Sequence, residues 1–145
     1  MVAVAALSIP QGALTMIVGF TGTQEGMNAL QKAMFVGVIA RLCPAEFHHG
    51  DCIGADMEAH DLIRQHLPRC RIVVHPPDIN DKRAYSECDD VRPAKPYLVR
   101  NKAIVFSCDE LVAAPKSRIE ELRSGTWSTI RAARKAGKPV HMVWP

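Results

Sequence analysis

The sequence has few of the features that mark secreted, membrane or metal-binding proteins. Its five cysteines are widely separated and none of them forms a C-x-x-C pair, so neither a zinc site nor a thioredoxin-like redox motif is indicated. Because no disulfide framework is visible, we expect the protein to reside in the reducing cytoplasm. We also expect no metal and no cofactor.

Long apolar segments and runs of like charge are missing as well. No apolar segment approaches the roughly 20 residues of a transmembrane helix, so no membrane partner is expected. Residues 1–13 are small and apolar, but Pro10 and Gly12 interrupt them and no basic residue precedes them. We therefore expect a loose N-terminal tail rather than a signal peptide. The net charge is +3 and the sequence has no run of five or six like charges, so a tail that wraps a polyanion is not indicated.

The sequence does contain an alternation of short apolar runs with helix-like stretches. Several of the runs are continuously apolar, as expected for parallel strands buried on both faces. The stretches between them have an apolar face or end at Gly or Pro, as helices do. The predicted strands are Met16–Phe20, Ala45–His49, Arg71–His75, Leu111–Ala114 and Val140–Trp144, and the predicted helices are Met27–Leu42, Ala55–Leu67, Pro96–Cys108 and Thr126–Ala136.

This alternation predicts an α/β protein, a Rossmann-like three-layer sandwich around a mainly parallel five-stranded sheet. We expect the strand order 3-2-1-4-5 and a single domain over residues 14–145. The winding then reverses between the first and fourth strands, and open α/β sheets bind ligands outside the strand C-termini at such a point. Residues 75–95 show no clear periodicity, and we expect them to form a lid or a side wall of that cleft.

Glycine and hydroxyl residues follow the first predicted strand and open the fourth predicted helix. In "GFTGTQEGM", Gly22 would let the backbone approach a ligand and Thr23 offers a hydroxyl just before a helix. In "RSGTWSTIR", Ser124, Gly125 and Thr126 exceed what a single helix cap requires. Both loops predict anion binding, with a tight turn and an ordinary cap as the alternatives.

Between these loops, "HHGDCIGADMEAH" combines a glycine-bracketed turn with an acidic helix start. Gly50 and Gly54 bracket the turn, and Asp56 lies in the first turn of the following helix. We expect Asp56 to be stabilised by the helix dipole and to contact a ribose or structural amides. A metal site is less favoured, because consecutive strand residues such as His48 and His49 point to opposite faces.

A basic motif, "RPAKPYLVRNKAIV", precedes the fourth predicted strand. Arg100 and Asn101 place a guanidinium and an amide in one helix, and guanidinium geometry suits a phosphate. Tyr97 could stack on a base. The alternative is a solvated helix end, which would account for Lys95 and Lys102.

In their order, these motifs resemble those of the DprA/Smf family. "GDCIGADMEAH" is similar to its G-G-x-x-G-I-D-x-x-A-H segment, "RNKAIV" to R-N-R-I-I, and "RSGTWSTIR" to R-S-G-S-x-x-T. That family belongs to the Rossmann-like SLOG superfamily, which also includes the LOG phosphoribohydrolases, often labelled lysine decarboxylase-like. The resemblance covers about residues 14–145 and implies a cleft for a nucleotide or for nucleic-acid phosphate.

The resemblance also implies which residues surround that cleft. LOG enzymes carry P-G-G-x-G-T-x-x-E, whose Glu serves glycosidic cleavage, but "SGTWSTIR" offers no Glu at the matching place. In a hydrolase, Asp56 or Glu25 would have to stabilise the positive charge that develops on the ribose. The positions that match the superfamily's cleft residues are Gly22, Thr23, Gly50, Asp56, Arg100, Asn101, Ser124, Gly125 and Thr126. Asp51 and Gly54, in the same turn as Gly50, complete the set of predicted ligand-binding residues.

Three functions remain open at this point. The first is binding of a nucleotide or nucleotide-derived ligand through its phosphate, and the second is hydrolysis of the N-glycosidic bond of a nucleoside monophosphate. Single-stranded DNA binding ranks last, because the net charge is small and aromatic residues make up only 6% of the chain. We also predict self-association, most simply as a dimer, because residues 27–42 carry apolar side chains around most of the helix.

Overall fold

A parallel sheet flanked by two helices on each face forms the framework of the protein, which the computed structural model describes for residues 15–145. The predicted tail at residues 1–13 lies outside the described residues. The strands are β1 (Ile17–Gly22), β2 (Glu46–His49), β3 (Arg71–Val74), β4 (Asp90–Val91), β5 (Glu110–Ala114) and β6 (Val140–Met142), and the helices are α1 (Ala29–Leu42), α2 (Ala55–His66), α3 (Tyr97–Ser107) and α4 (Gly125–Lys135).

The sheet corrects the predicted strand number and order. It has six strands in the order β4-β3-β2-β1-β5-β6, and each neighbouring pair is parallel. The additional strand, β4, lies at the edge beside β3, where the Asp89 amide donates to the Ile72 carbonyl and the Arg92 amide donates to the Val74 carbonyl. Because β4 is two residues long and half polar, it carries no periodicity that a sequence pattern could reveal.

Alternating side chains of β1 divide the core between the two faces of the sheet. Val18 and Phe20 point towards α1 and α2, where the Phe20 ring packs against Phe35 and Phe47 with centroids 5.4 and 5.9 Å away. Gly19 faces α3, and a Cβ at this position would lie 2.9 Å from the Cys108 sulfur. The missing side chain thus lets α3 pack directly on the central strand.

The chain reverses its direction of winding at β1. Strands β2, β3 and β4 are added successively on one side of β1, and β5 and β6 are added on the other. The C-terminal ends of β1 and β5 are in register, with Gly22 opposite Ala114 and the Thr23 amide 3.0 Å from the Ala114 carbonyl. Consequently, the loops that follow these two strands begin side by side.

Helix α1 is fixed by its cap and by one buried amide. Asn28 and Gln31 form a capping box, while Gln31 Nε2 donates to the carbonyls of Pro115 and Val143 at 2.9 and 3.0 Å. These bonds tie α1 to the segments that follow β5 and β6. On the other side of the helix, Leu30 is 60% exposed. Part of its apolar surface is therefore uncovered, and self-association through it stays a prediction.

A single cation caps the C-terminal end of α3. Lys138 Nζ donates to the carbonyls of Val105 and Cys108, each at 2.6 Å, and so satisfies acceptors that a helix end leaves open. None of the helices within residues 15–145 is long and apolar enough to cross a bilayer.

The contact between β1 and α2 allows a stability test. A Cβ on Gly22 would lie 2.5 Å from the Ala55 Cβ, so we expect Gly22→Ala to lower the free energy of unfolding by about 1–3 kcal/mol. Gly37, in the middle of α1, has no neighbour within 4 Å of such a Cβ. Gly37→Ala should therefore stabilise the protein by up to about 1 kcal/mol. Urea denaturation checks both, and equal midpoints would contradict the packing.

Candidate functional site

A cleft of about 370 Å³ opens at the C-terminal ends of the central strands. Its walls are the loop after β1, the start of α2, one face of α3 and the start of α4. The predicted residues that line it are Gly22, Thr23, Glu25, Gly50, Asp56, Arg100, Asn101, Ser124, Gly125 and Thr126. The structure thus brings the two predicted anion loops to one cavity, while the binding of a ligand by these residues stays a prediction.

The start of α4 presents unsatisfied hydrogen-bond donors to this cleft. The Ser124 hydroxyl accepts from the Trp127 amide at 3.3 Å, and the amides of Gly125 and Thr126 have no partner within residues 15–145. First-turn amides point out of the N-terminal end of a helix, where the helix dipole favours negative charge. Since Gly125 and Thr126 line the cleft, these donors are available to a ligand.

Gly125 is not required by the fold itself. A Cβ there would have Asn101 Nδ2 as its nearest neighbour at 3.8 Å, which is an ordinary contact, and its backbone is not in the left-handed region. By contrast, Gly54 has φ +88 and packs directly against the Gln24 backbone. Gly54 lies outside the cleft lining, so packing explains it, whereas the bare backbone of Gly125 leaves room in the cleft.

Arg100 is buried and is committed to the protein by its hydrogen bonds. Its Nη1 donates to the carbonyls of Gly50 at 2.5 Å and His75 at 3.2 Å, and its Nε donates to Asn101 Oδ1 at 2.8 Å. A Cβ on Gly50 would collide with the guanidinium, so Gly50 is needed for this arrangement. Arg100 therefore sets the distance between α3 and the ends of β2 and β3, in addition to placing positive charge beside the cleft.

Asp56 is the acidic group on the cleft floor. It is 6% exposed, and its Oδ2 accepts from the Cys52 amide at 3.2 Å. Burial raises the pKa of Asp56 to about 6, and the Arg100 guanidinium only partly opposes this rise. A carboxyl group in a cleft that can hold or release a proton near neutral pH is a common feature of functional sites.

Asp51 proves to be a structural anchor outside the cleft. It is fully buried with φ 55, and its carboxylate contacts Arg83 Nε at 3.1 Å and accepts from the Ser86 amide at 2.9 Å. These bonds attach the segment after β3 to the end of β2. No residue of 76–95 lines the cleft, so the prediction that this segment forms its lid or side wall is wrong.

The buried histidines pair with each other rather than forming a metal site. His48 Nδ1 lies 2.8 Å from His75 Nε2, and His49 Nε2 lies 3.0 Å from His60 Nδ1. Burial lowers the pKa of all four side chains, to about 3 for His75. Within residues 15–145, no group of three or more His, Cys, Asp or Glu side chains is placed to hold a metal ion.

The mouth of the cleft carries charges of both signs. Lys116 Nζ lies 3.4 Å from the Glu25 carboxylate and 3.7 Å from that of Glu121. The side chain of Glu25 is 70% exposed, so this predicted catalytic candidate is a solvated rim residue. Sequence motifs did not single out Lys116, Glu121, Cys52 or Trp127 as cleft residues, although Lys116 follows the end of a predicted strand, where ligands of such sheets bind.

Comparisons with known proteins support the fold. No protein-family model and no characterised protein sequence matches the chain. The molybdenum cofactor binding protein of the phototrophic bacterium Rippkaea orientalis is similar in structure, with a TM-score of 0.67 and 19% identity over 88% of this chain and 76% of that one. The molybdenum cofactor carrier protein of Chlamydomonas reinhardtii gives 0.60 and 19% over 88% and 76%.

A DNA-binding protein has a similar structure too. DNA processing protein A from Helicobacter pylori, described with a single-stranded DNA binding mode, gives a TM-score of 0.58 and 17% identity over 92% of this chain and 68% of that one. At these identities the likeness establishes a shared α/β fold with an open, parallel sheet. Membership of the SLOG superfamily stays a prediction.

The raised pKa of Asp56 leads to a stability prediction. The native state binds the Asp56 proton more tightly than the unfolded state, in which the pKa is near 3.8, so this group makes the protein less stable as the pH rises from about 3.8 to about 6. We expect Asp56→Asn to stabilise the protein at pH 7.5 by up to about 3 kcal/mol and by less at pH 5.

Urea denaturation at the two pH values measures this effect. Asp61→Asn, on the exposed side of the same helix, is the matched control and should change the stability little. A loss of stability in Asp56→Asn at pH 7.5 would contradict the assignment.

Proposed function

We propose that this protein binds a nucleotide or a nucleotide-derived ligand through its phosphate, in the cleft at the switch point between β1 and β5. The observation that carries the proposal is the pair of amides of Gly125 and Thr126, which lack a partner among residues 15–145 and belong to residues that line a cleft of about 370 Å³. A helix N-terminus with free amides is suited to phosphate. The volume lies within the range of small-molecule sites.

Charge balance favours recognition by the backbone over recognition by a basic surface. The basic side chains in the cleft lining are Arg100 and Lys116, and the carboxyl side chains are Glu25, Asp56 and Glu121. Because three acidic groups face two basic ones, the side chains offer a phosphate no net positive charge, and it would be held chiefly by the backbone dipoles of α4 and the Ser124 and Thr126 hydroxyls. Such a site suits one phosphate group better than a long polyanion.

The structural neighbours are consistent with this class of function. Two of them are named as binding or carrying the molybdenum cofactor, and one is described as binding single-stranded DNA. Tyr97 lines the cleft and Arg100 covers one face of its ring at 5.1 Å, so a planar group at that end would contact the other face or the edge of the ring. We infer a ligand with a phosphate at α4 and a ring near Tyr97.

A nucleotide screen by thermal shift tests the proposal. A ligand at 100 times its dissociation constant should add about 2.7 kcal/mol to the stability of the native state. Gly125→Ala should weaken that ligand at least tenfold, or about 1.4 kcal/mol, because the added methyl group fills the space next to the amides. Gly37→Ala, which has open space at a site remote from the cleft, should leave the affinity unchanged.

Two outcomes would contradict nucleotide binding. One is the absence of a shift with every nucleotide, cyclic dinucleotide and ADP-ribose derivative. The other is an equal response of Gly125→Ala and Gly37→Ala. A short oligonucleotide belongs in the same screen, because tight binding that weakens steeply with added salt would favour the single-stranded DNA alternative.

Asp56 favours one second candidate, hydrolysis of the N-glycosidic bond of a nucleoside monophosphate. A buried carboxyl with a pKa of about 6 is suited to stabilise charge or transfer a proton as the bond breaks. Release of free base from AMP should then fall at least 100-fold in Asp56→Asn and little in Glu25→Gln. If the protein releases no base from any common nucleoside monophosphate, this candidate is ruled out.

We further propose that residues 14–145 form one SLOG-type domain and that the protein forms a dimer through α1. The exposed apolar side chains of Leu30 and Met34 support this surface. Light scattering should give twice the 16.0 kDa mass of the chain, and Leu30→Glu should return it to the monomer value. A monomer at all concentrations would rule the dimer out.

A further inference from the structure

A second cavity shares Arg100 with the lining of the cleft. It has a volume of about 190 Å³ and is bounded by the end of β3, residues 92–95 and one face of α3. That volume is far above the roughly 15 Å³ that a single water requires. Its charged or ionisable lining residues are His75, Arg92, Lys95 and Arg100, and no carboxylate belongs to the lining.

The hydrogen bonds of the buried histidines determine the state of His75. Glu46 Oε1 lies 2.9 Å from His48 Nε2, and an ionised carboxylate only accepts, so His48 carries its proton on Nε2. His48 Nδ1 is then the acceptor in the 2.8 Å contact with His75 Nε2. His75 therefore carries its proton on Nε2, and its Nδ1 has a free lone pair.

His75 Nδ1 is directed to the cavity for lack of any other partner. His75 is 4% exposed, and its Nδ1 has no hydrogen-bond partner within residues 15–145. Since no fully buried side-chain nitrogen or oxygen in this part of the chain is left unpaired, Nδ1 keeps some exposure, and the cavity that His75 lines is the opening beside it. A nearly buried ring nitrogen beside a cavity with basic lining residues is suited to form a hydrogen bond with a bound ligand.

We propose that this cavity is a second anion site, which takes a small oxyanion such as a phosphate group and binds it together with a proton on His75 Nδ1. Protonation at Nδ1 turns this atom into a donor towards the anion. The Nε2–H bond to His48 and the His48 bond to Glu46 need no rearrangement. The site is separate from the nucleotide cleft and does not depend on the function proposed for it.

The surrounding charges explain why the proton and the anion would bind together. His75 is faced by His48 from β2, by Arg100 from α3, and by Arg92 and Asp90 at the sheet edge; burial and the nearby cations lower its pKa to about 3. An anion in the cavity offsets the cations and raises this pKa. By linkage, the protonated protein binds the anion more tightly, so the affinity rises as the pH falls.

The two basic side chains of residues 92–95, Arg92 and Lys95, differ in whether they form an ion pair within residues 15–145. Arg92 Nε lies 3.3 Å from Asp90 Oδ2, so its position is fixed and its charge is partly balanced. Lys95 forms no ion pair within residues 15–145, and its ammonium group is free to contact an anion. Lys95 is consequently the residue to remove in a test.

Nuclear magnetic resonance of the His75 ring nitrogens tests the site directly in the full chain. The Gly125→Ala variant is the background, because the amide site of the cleft is blocked there. Sulfate is the first anion, since it stays almost wholly a dianion down to about pH 3, where the free His75 ring titrates. Compared with chloride at equal ionic strength, saturating sulfate should raise the His75 titration midpoint by about 1 pH unit, which corresponds to about tenfold tighter binding to the protonated form.

Variants separate a specific site from general screening. Lys95→Met should remove most of the sulfate-induced rise, whereas Lys135→Met, which removes an exposed lysine of α4, should keep it. Identical His75 titrations in sulfate and chloride would overturn the proposal, as would equal effects of the two lysine variants. Inorganic phosphate and glycerol phosphate then show which form of phosphate the cavity accepts. A response to either one supports the site. A response to glycerol phosphate shows that the cavity also accommodates a substituent on the phosphate.

Failure of this proposal and failure of the nucleotide proposal are distinguishable. His75 lines the second cavity and not the cleft, so its sulfate response in the Gly125→Ala background reports on the second cavity, and nucleotide affinity with its loss in Gly125→Ala reports on the cleft. His75→Gln gives a further readout, because it should abolish the pH dependence of sulfate affinity. A pH dependence that persists in His75→Gln would overturn the coupling to His75.

Discussion

The site region depends on one buried cation, the guanidinium of Arg100. It donates to the carbonyls of Gly50 and His75, which end β2 and begin the segment after β3, and to the Asn101 side chain. A buried charge is tolerated only where its hydrogen bonds are satisfied, so these three acceptors define where α3 can lie. Because α3 forms a wall of both cavities, their shapes are determined by the same set of bonds.

The reversal of winding at β1 supplies the second part of the arrangement. It places the ends of β1 and β5 in register, so the loop after β1 and the start of α4 share a cleft. The two glycines of these loops have different tasks. Gly22 is required for contact with Ala55, while Gly125 has no such neighbour. The backbone amides that a ligand in the cleft can contact are therefore those at the start of α4.

Much of this layout could be predicted from the sequence, because it follows from strong local signals. Continuous apolar runs and glycine–hydroxyl loops located the central strands and the convergence of Gly22 with Gly125. What could not be predicted depends on long-range contacts. Asp51 resembles a ligand-binding residue in the motif, yet its role as an anchor arises from Arg83 and Ser86, which are more than thirty residues away. Strand β4 likewise exists only through its bonds to β3.

Glycine also illustrates why residue type alone does not reveal a role. Gly54 and Gly125 both stand where a helix begins, but Gly54 is needed for a left-handed backbone and a tight contact. In a sequence the two are indistinguishable. The space around each Cβ position distinguishes them. A Cβ on Gly54 would collide with the Gln24 backbone, whereas a Cβ on Gly125 would make only an ordinary contact.

The two edge strands of the sheet affect how readily other chains can pair with it. Strand β4 has two residues and β6 has three, so each outer border offers an approaching chain only a few backbone groups to pair with. Short borders of this kind protect against sheet extension between molecules. The fully paired strands of the parallel core are therefore separated from other chains by edges that offer little backbone for pairing.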